Sequence, residues 1–211
     1  IVYDLVDIVE ERCRPRQAMI RDKRFENLYL IPAAQTRDKN AVSQKDMNKL
    51  VEELREEMDW VLIDSPAGIE RGFRNAIAPA DEILIVTNAD VSAVRDADRI
   101  IGIIEAEQKG PPKLIINRIN PQMIKRGDMI NTDDVLELLA IKLLGVVPED
   151  EQVIVSTNIG RPIVLEEKSR AGQAFKNIAR RLMGDDIPLL DMDYRDDIFH
   201  RLSKVFRSGG E

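Results

Sequence analysis

The sequence has few of the residues that carry most nucleophilic and cross-linking chemistry. Its 211 residues include one cysteine, Cys13, and one histidine, His200. A single cysteine excludes an internal disulfide framework and fits a reducing compartment. A single histidine near the end of the chain leaves no Ser-His-Asp triad and no His-ligated metal site in the fold.

The thiol of Cys13 lies between two cations in the sequence. Arg12 and Arg14 would lower its pKa and so favour the reactive thiolate. However, no histidine or other base is near it in the sequence. We therefore expect an unreactive cysteine.

Long apolar runs and an excess of positive charge are also lacking. No apolar stretch approaches the roughly 20 residues that span a bilayer. Acidic residues outnumber basic ones by 38 to 31, and the net charge is −7. This balance disfavours sequence-independent binding of nucleic acid by the domain as a whole. With 44% hydrophobic residues, the length favours one α/β domain with a substantial core.

A Walker A loop is absent, although a Walker B-like segment is present. Walker A needs Gly-x-x-x-x-Gly-Lys-[Ser/Thr] to hold phosphates, and the chain has no Gly-Lys dipeptide. The apolar residues 61–63 predict a buried strand that delivers the Asp64 carboxylate to the carboxyl edge of a parallel sheet. A carboxylate there can hold the hydration shell of nucleotide-bound Mg²⁺. The alternative is an ordinary strand followed by a Pro/Gly turn.

The spacing of apolar residues predicts alternating helices and strands. Strands are predicted at 28–31, 61–63, 82–87, 113–118 and 143–147, and helices at 1–10, after Ser43, and at 91–108, 132–141 and 171–183. Met47, Leu50, Val51, Leu54 and Met58 lie on one face of the helix that Ser43 begins. This alternation indicates a doubly wound, mostly parallel α/β sheet.

The last part of the chain differs from the rest. An acidic tether over 185–195 leads to residues 196–211, which predict an amphipathic helix. Its apolar side holds Ile198, Phe199, Leu202, Val205 and Phe206, and its basic side holds Arg201, Lys204 and Arg207. So short a helix is unstable alone in water, and we expect it to fold where the apolar side finds a partner. A last helix packed on the core of the domain is the alternative.

Five segments resemble the ParA/MinD family of deviant-Walker ATPases in the family's order. They are residues 26–38, 64–70, 91–100, 126–129 and 145–150. The resemblance implies a P-loop NTPase-like three-layer sandwich over 1–184. Members begin with a strand, a Lys-Gly-Gly-Val-Gly-Lys-Thr loop, a helix and a first switch, all of which would precede Ile1. We therefore expect a fragment, incomplete at its N-terminus.

The resemblance also implies a site for ATP and Mg²⁺. Asp64 would contact Mg²⁺ through water, and Pro66, Ala67 and Gly68 would form the second switch. Asn117 and Arg118 would recognise the base, and Pro148, Glu149 and Asp150 would cover the adenine. An asparagine after a strand is also an ordinary turn residue. The family's catalytic lysine and aspartate would lie upstream, so no catalytic residue is expected within this chain.

The function implied is division-site selection by a peripheral-membrane ATPase. Such a protein forms a homodimer with ATP and binds an anionic membrane surface through its tail, on the cytoplasmic face of the cell membrane or its plastid equivalent. It recruits the inhibitor MinC and the activator MinE, here through Ser92, Arg95, Asp96 and Asp98, although a solvated helix face also explains these charges. The alternatives are a phosphate-loop-less scaffold and a DNA-partitioning ATPase. No specific nucleic acid is expected.

Overall fold

The computed structural model describes residues 3–33, 41–66 and 68–192. The chain divides into two compact units, Ile1–Asp81 and Glu82–Glu211. Ala67 and the amphipathic tail predicted over 196–211 lie outside the described residues. Within the described ranges, no helix combines the length and the apolar character needed to cross a membrane.

The first unit contains four helices and a two-stranded antiparallel sheet within its described residues. The elements are α1 (Leu5–Val9), α2 (Pro15–Ala18), β1 (Ile20–Arg21), β2 (Tyr29–Leu30), α3 (Gln44–Arg55) and α4 (Arg71–Ile77). The strand predicted at 28–31 is present as β2.

Helix α3 begins at Ser43, as predicted. The Asp46 amide donates to the Ser43 hydroxyl at 3.3 Å, and the Ser43 amide donates to the Asp46 carboxylate at 2.9 Å. Such a capping box satisfies two amides that the helix itself leaves unpaired. The predicted apolar face is buried from Met47 to Leu54, whereas Met58 lies beyond the helix end and is half-buried.

The strand predicted at 61–63 is wrong. Residues 59–66 form neither helix nor strand, and no described residue pairs with them in a sheet. Leu62 is 83% exposed and Trp60 is 58% exposed. A strand requires a hydrogen-bonded neighbour as well as a suitable sequence, because its amides and carbonyls must be satisfied. Asp64 therefore lies on an exposed irregular segment.

The second unit is built on a parallel three-stranded sheet in the order β3-β4-β5. Its elements are β3 (Leu84–Asn88), α5 (Val91–Ala106), β4 (Lys113–Ile119), α6 (Pro121–Arg126), α7 (Thr132–Leu139), β5 (Lys142–Pro148), α8 (Glu151–Asn158), a 3-10 turn (Ile163–Leu165) and α9 (Arg170–Leu182). The three strands and the three long helices predicted here are confirmed, with ends shifted by a few residues. The described residues therefore form an α/β fold with a parallel sheet.

The core of this unit lies where α9 packs on β5. Its buried residues are Ile115, Leu144, Val147, Ala171, Ala174 and Ile178. The central strand β4 pairs with a neighbour on each side, and its residues from Leu114 to Ile116 are buried. Apolar residues suit such a strand because both of its faces are covered. These contacts fix the carboxyl ends of the strands, where the predicted site residues lie.

Residues 185–192, called the strap below, run back along α9. The Arg181 guanidinium, near the end of α9, donates to the carbonyls of Ile187 at 2.8 Å, Pro188 at 2.6 Å and Leu144 at 3.0 Å. Arg170, at the start of α9, donates to the Asp191 carbonyl. The described part of the predicted tether is therefore attached to the helix at both of its ends.

Candidate functional site

Three polar side chains meet where β4 and β5 end. The Glu149 carboxylate accepts a hydrogen bond from Arg118 Nη2 at 3.1 Å and another from Asn120 Nδ2 at 3.0 Å. The Glu149 amide donates to the Ile119 carbonyl at 2.9 Å, which joins the two strand ends. We call Arg118, Asn120 and Glu149 the edge bracket. It lies at the carboxyl edge of a parallel sheet, the usual ligand-binding edge of α/β proteins.

Asn120 is held in place by the helix that it begins. Its Oδ1 accepts hydrogen bonds from the Gln122 amide at 3.0 Å and the Met123 amide at 3.3 Å. Pro121 occupies the first helical position, and Gly127, with a φ of 78°, ends α6. Sequence reasoning missed Asn120, although Asn-Pro followed by a glycine is a typical signature of a short capped helix.

The edge bracket keeps Glu149 ionised. Hydrogen bonds from Asn120 and then from Arg118 lower the pKa of Glu149, and they outweigh the opposing effect of burial. Arg118 has a φ of 56°, the left-handed region that side-chain-bearing residues seldom adopt. Such backbone strain is concentrated at functional sites and persists where neighbouring contacts hold it.

Asp150 holds α8 to α9. Its Oδ1 accepts from the Gln152 amide at 2.9 Å, and its Oδ2 accepts from the Ser169 hydroxyl at 2.7 Å. The buried Ser169 oxygen in turn accepts from the Gly172 amide at 2.9 Å. Burial would raise the pKa of Asp150, but the hydrogen bonds from Ser169, Gln152 and the start of α9 lower it overall. Ser169 was not predicted, and the sequence carries no signal for its contact with Asp150.

Asn117 has a side chain that is available to a ligand. It is half-buried near the end of β4, where its backbone is in register with Asn88 of β3. Its amide group makes no hydrogen bond to another described residue. Pro148, the last residue of β5, is buried. Asn117 therefore offers a donor and an acceptor at the same edge as the edge bracket.

The predicted second switch belongs to the first unit. Asp64, Pro66 and Gly68 are exposed, and Ala67 lies outside the described residues. Gly68 has a φ of 92°, which strongly favours glycine. A side chain at Gly72 would come within 2.7 Å of Pro66 Cγ, so Pro66 lies close against α4. Residues 68–70 thus lead directly into α4.

The predicted partner surface lies on the outer side of α5. Ser92, Arg95, Asp96 and Asp98 are all exposed, whereas the inner side of the helix is buried. Asp90 caps the helix by accepting from the Ala93 amide at 2.9 Å and the Ser92 hydroxyl at 2.7 Å. These bonds lower the pKa of Asp90. The outer side therefore presents charges to solvent from a firmly capped helix.

The expected effect of the arginines on Cys13 is wrong in direction. Partial burial, followed by the nearby Asp7 and Asp4, raises the pKa of the Cys13 thiol. Arg12 is paired with Asp7 at 3.0 Å, so its charge is largely balanced.

Across the ranges that the structure describes, no group of three or more His, Cys, Asp or Glu side chains is arranged to hold a metal ion.

One family model and two relatives match the sequence. A family model described as cellulose biosynthesis protein BcsQ matches residues 25–181. The septum site-determining protein MinD of Synechocystis sp. is 49% identical over 99% of this chain and 79% of its own length. The protein of the same name from Bacillus subtilis is 50% identical over 90% of this chain and 71% of its own length.

MinD proteins are also found among the solved structures that resemble this chain. MinD in the MinC:MinD complex of Aquifex aeolicus is 44% identical and has a TM-score of 0.83 over 90% of this chain and 77% of its own. MinD of Pyrococcus horikoshii, solved in complex with Mg-ADP, is 24% identical and has a TM-score of 0.74 over 86% of this chain and 74% of its own. The second likeness concerns the fold alone.

Proposed function

Since the chain belongs to the MinD family of septum site-determining cell-division ATPases, we propose that it acts as an ATP-dependent dimer on a membrane surface. The observation that carries the proposal is 49% identity over 99% of the chain. We also infer that the complete sheet is doubly wound between two helical layers. The assignment of sites below rests on the geometry of the described residues.

The carboxyl edge of the sheet suits the base of a nucleotide. Asn117 offers a free amide, and Arg118, Glu149 and Asp150 lie at the same edge, next to the buried Pro148. An aromatic base with hydrogen-bonding edges fits such a set of donors and acceptors. Bound ATP with Mg²⁺ would supply the phosphoryl group and its charge neutralisation. The residues named here bind and orient the base.

In the first unit, Asp64 and the residues after it suit the phosphate end of a nucleotide. The Asp64 carboxylate is exposed and would hold Mg²⁺ through water, with Pro66, Ala67 and Gly68 as the switch beside it. Because residues 1–211 contain no Gly-Lys dipeptide, we propose that they do not hydrolyse ATP by themselves.

The proposed membrane contact is made by residues 196–211, from the cytoplasmic side of the cell membrane or the equivalent side in a plastid. Its support is the amphipathic sequence pattern. Five apolar side chains would enter the interface, and the cations Arg201, Lys204 and Arg207 would face anionic lipid. One such helix binds weakly, whereas two on a dimer bind by avidity. ATP-dependent dimerisation would thus control residence on the membrane.

The outer side of α5 is the proposed surface for a MinC-like inhibitor and a MinE-like activator. Arg95, Asp96 and Asp98 are exposed and make no ion pair with another described residue. The Aquifex aeolicus relative has been solved with MinC bound. Charged side chains without partners are available for complementary pairing with an incoming protein.

Two measurements on the full-length protein test the proposal. Sedimentation with vesicles that contain one fifth anionic phospholipid should retain more protein with ATP than with ADP, and equal retention would contradict the membrane proposal. Asp96→Ala should weaken binding of the inhibitor and spare ATP binding. Glu105→Ala, an equal loss of charge farther along α5, is the matched control. Unchanged inhibitor binding by Asp96→Ala would remove this helix side from the site.

A further inference from the structure

Asn120 connects a helix cap to the predicted base-binding edge. Its Oδ1 is used by α6, which leaves Nδ2 directed at Glu149 Oε2 at 3.0 Å. We propose that Asn120 is a positioning residue for nucleotide binding, acting through Glu149 on Arg118. The proposal rests on the base site described above and adds to it a residue that does not contact the base.

The backbone around Arg118 does little to orient its guanidinium, so the orientation depends on side-chain contacts. The pairing of β4 with β5 is irregular between Ile116 and Ile119, and Arg118 there has a φ of 56°. Its side chain is 66% exposed. An exposed ion pair alone contributes little stability and holds a long side chain loosely. A single contact with a freely rotating Glu149 would therefore leave the guanidinium poorly oriented.

The hydrogen bond from Asn120 to Glu149 prevents this rotation of the Glu149 carboxylate. Asn120 holds one carboxylate oxygen of Glu149, and the other oxygen is then presented to Arg118 at 3.1 Å. Asn120 is itself fixed by two amides of α6. Asn120 thus orients the Glu149 carboxylate, and Glu149 in turn orients the Arg118 guanidinium. The guanidinium can stack on an aromatic base or donate to it. The ligand class is the base end of a nucleoside triphosphate.

A swap of donor and acceptor tests this chain of contacts. Asn120→Asp keeps an oxygen for the α6 amides but places two carboxylates together. Glu149→Gln removes the charge that holds Arg118. In the double variant the new amide at 149 donates to the new carboxylate at 120, while its oxygen still accepts from Arg118. The net charge of the double variant equals that of the unsubstituted protein.

The readout is the Kd of the full-length protein for a fluorescent ATP analogue, together with KM and kcat for ATP. We expect each single variant to weaken binding by about tenfold, the effect of one lost charge-assisted hydrogen bond. The double variant should recover to within about threefold, because the pair is restored with its polarity reversed. For Asn120→Asp, KM should follow Kd, and kcat at saturating ATP should be unchanged.

Asn131→Asp is the matched control. Asn131 caps α7 with its Oδ1 and donates from Nδ2 to Asp134 at 2.8 Å, so the substitution also places two carboxylates at a helix start. It should alter stability as Asn120→Asp does and leave Kd unchanged. Normal binding by Asn120→Asp, or a double variant as weak as the singles, would overturn the inference alone. No ATP binding by the unsubstituted protein would overturn the proposed function and the inference with it.

Discussion

At the scale of single residues, the Ser169 hydroxyl serves two partners at once. It accepts from the Gly172 amide at the start of α9 and donates to the Asp150 carboxylate at 2.7 Å. We predict that Ser169→Ala lowers the free energy of unfolding by about 1–3 kcal/mol, because it removes a helix cap and the shorter of two hydrogen bonds to Asp150 Oδ2, which keeps the Ala171 amide at 3.3 Å. Urea denaturation measures the change.

Ser65→Ala is the control for that substitution. The Ser65 hydroxyl is exposed, and among the described residues it bonds only to the carbonyl of the next residue, Pro66. Its removal should change stability by less than about 0.5 kcal/mol. Equal effects of the two substitutions would show that the contact between Ser169 and Asp150 adds nothing.

Glu149 should give the protein a measurable dependence on acid. Its pKa in the folded state is lowered by Asn120 and Arg118. Its ionised form therefore stabilises the fold above the usual glutamate pKa of about 4.3, and this contribution is lost as the pH falls through the lower folded pKa. The stability difference between the unsubstituted protein and Glu149→Gln should be constant near pH 7 and shrink below about pH 4.3. Denaturation across this range measures it, and a difference that is independent of pH would contradict the prediction.

The resemblance named Asn117, Arg118 and Glu149, which lie at one edge of the sheet, but it carried no information on how their side chains pair. The hydrogen bond between Asn120 and Glu149 could not be predicted, since it joins residues 29 positions apart. Short-range spacing carries no information about such contacts. Ser169 was missed for the same reason.

At the scale of elements, β5 and α9 approach closely at a glycine. A side-chain carbon at Gly145 would lie 2.3 Å from Ile178 Cγ1. We predict that Gly145→Ala destabilises the protein by about 1–3 kcal/mol, because the buried Ile178 must shift to make room. Urea denaturation gives the magnitude.

Gly102→Ala provides a control of the opposite sign. Gly102 lies on the exposed side of α5 with no atom within 4 Å of the added carbon. The substitution should stabilise the protein by about 0.5–1 kcal/mol, since alanine is the better helix former. If Gly145→Ala left the free energy of unfolding unchanged, α9 could shift to accommodate the extra carbon without cost.

Elements with a strong period or a capped start were predictable, and elements that depend on neighbours were not. Helix α3 has both a Ser43 cap and a regular apolar face, and it lies where predicted. Residues 61–63 have the composition of a strand, but pairing decides whether a strand forms. Helix α8 was missed because Val153, Ile154 and Val155 are β-branched, which disfavours a helix by propensity, although Asp150 gave a cap signal.

At the scale of the whole molecule, the two units should differ in resistance to local opening. In β4, Leu114 and Ile116 are fully buried and paired on both sides. Strands β1 and β2 have two residues each, all exposed. Hydrogen exchange should be slowest in β4 and fastest in β1 and β2, because opening of a buried central strand approaches global unfolding. Equal protection of the two sheets would contradict this expectation.

The strap also limits the length of chain that can separate the domain from residues after 195. An unanchored tether of eleven residues could extend to about 40 Å. Arg181 and Arg170 hold the chain as far as Asp191, so only residues 192–195 separate the held chain from the proposed tail, and four residues span at most about 14 Å. A domain with its proposed tail on a membrane would therefore stay close to the lipid, with little freedom to swing away.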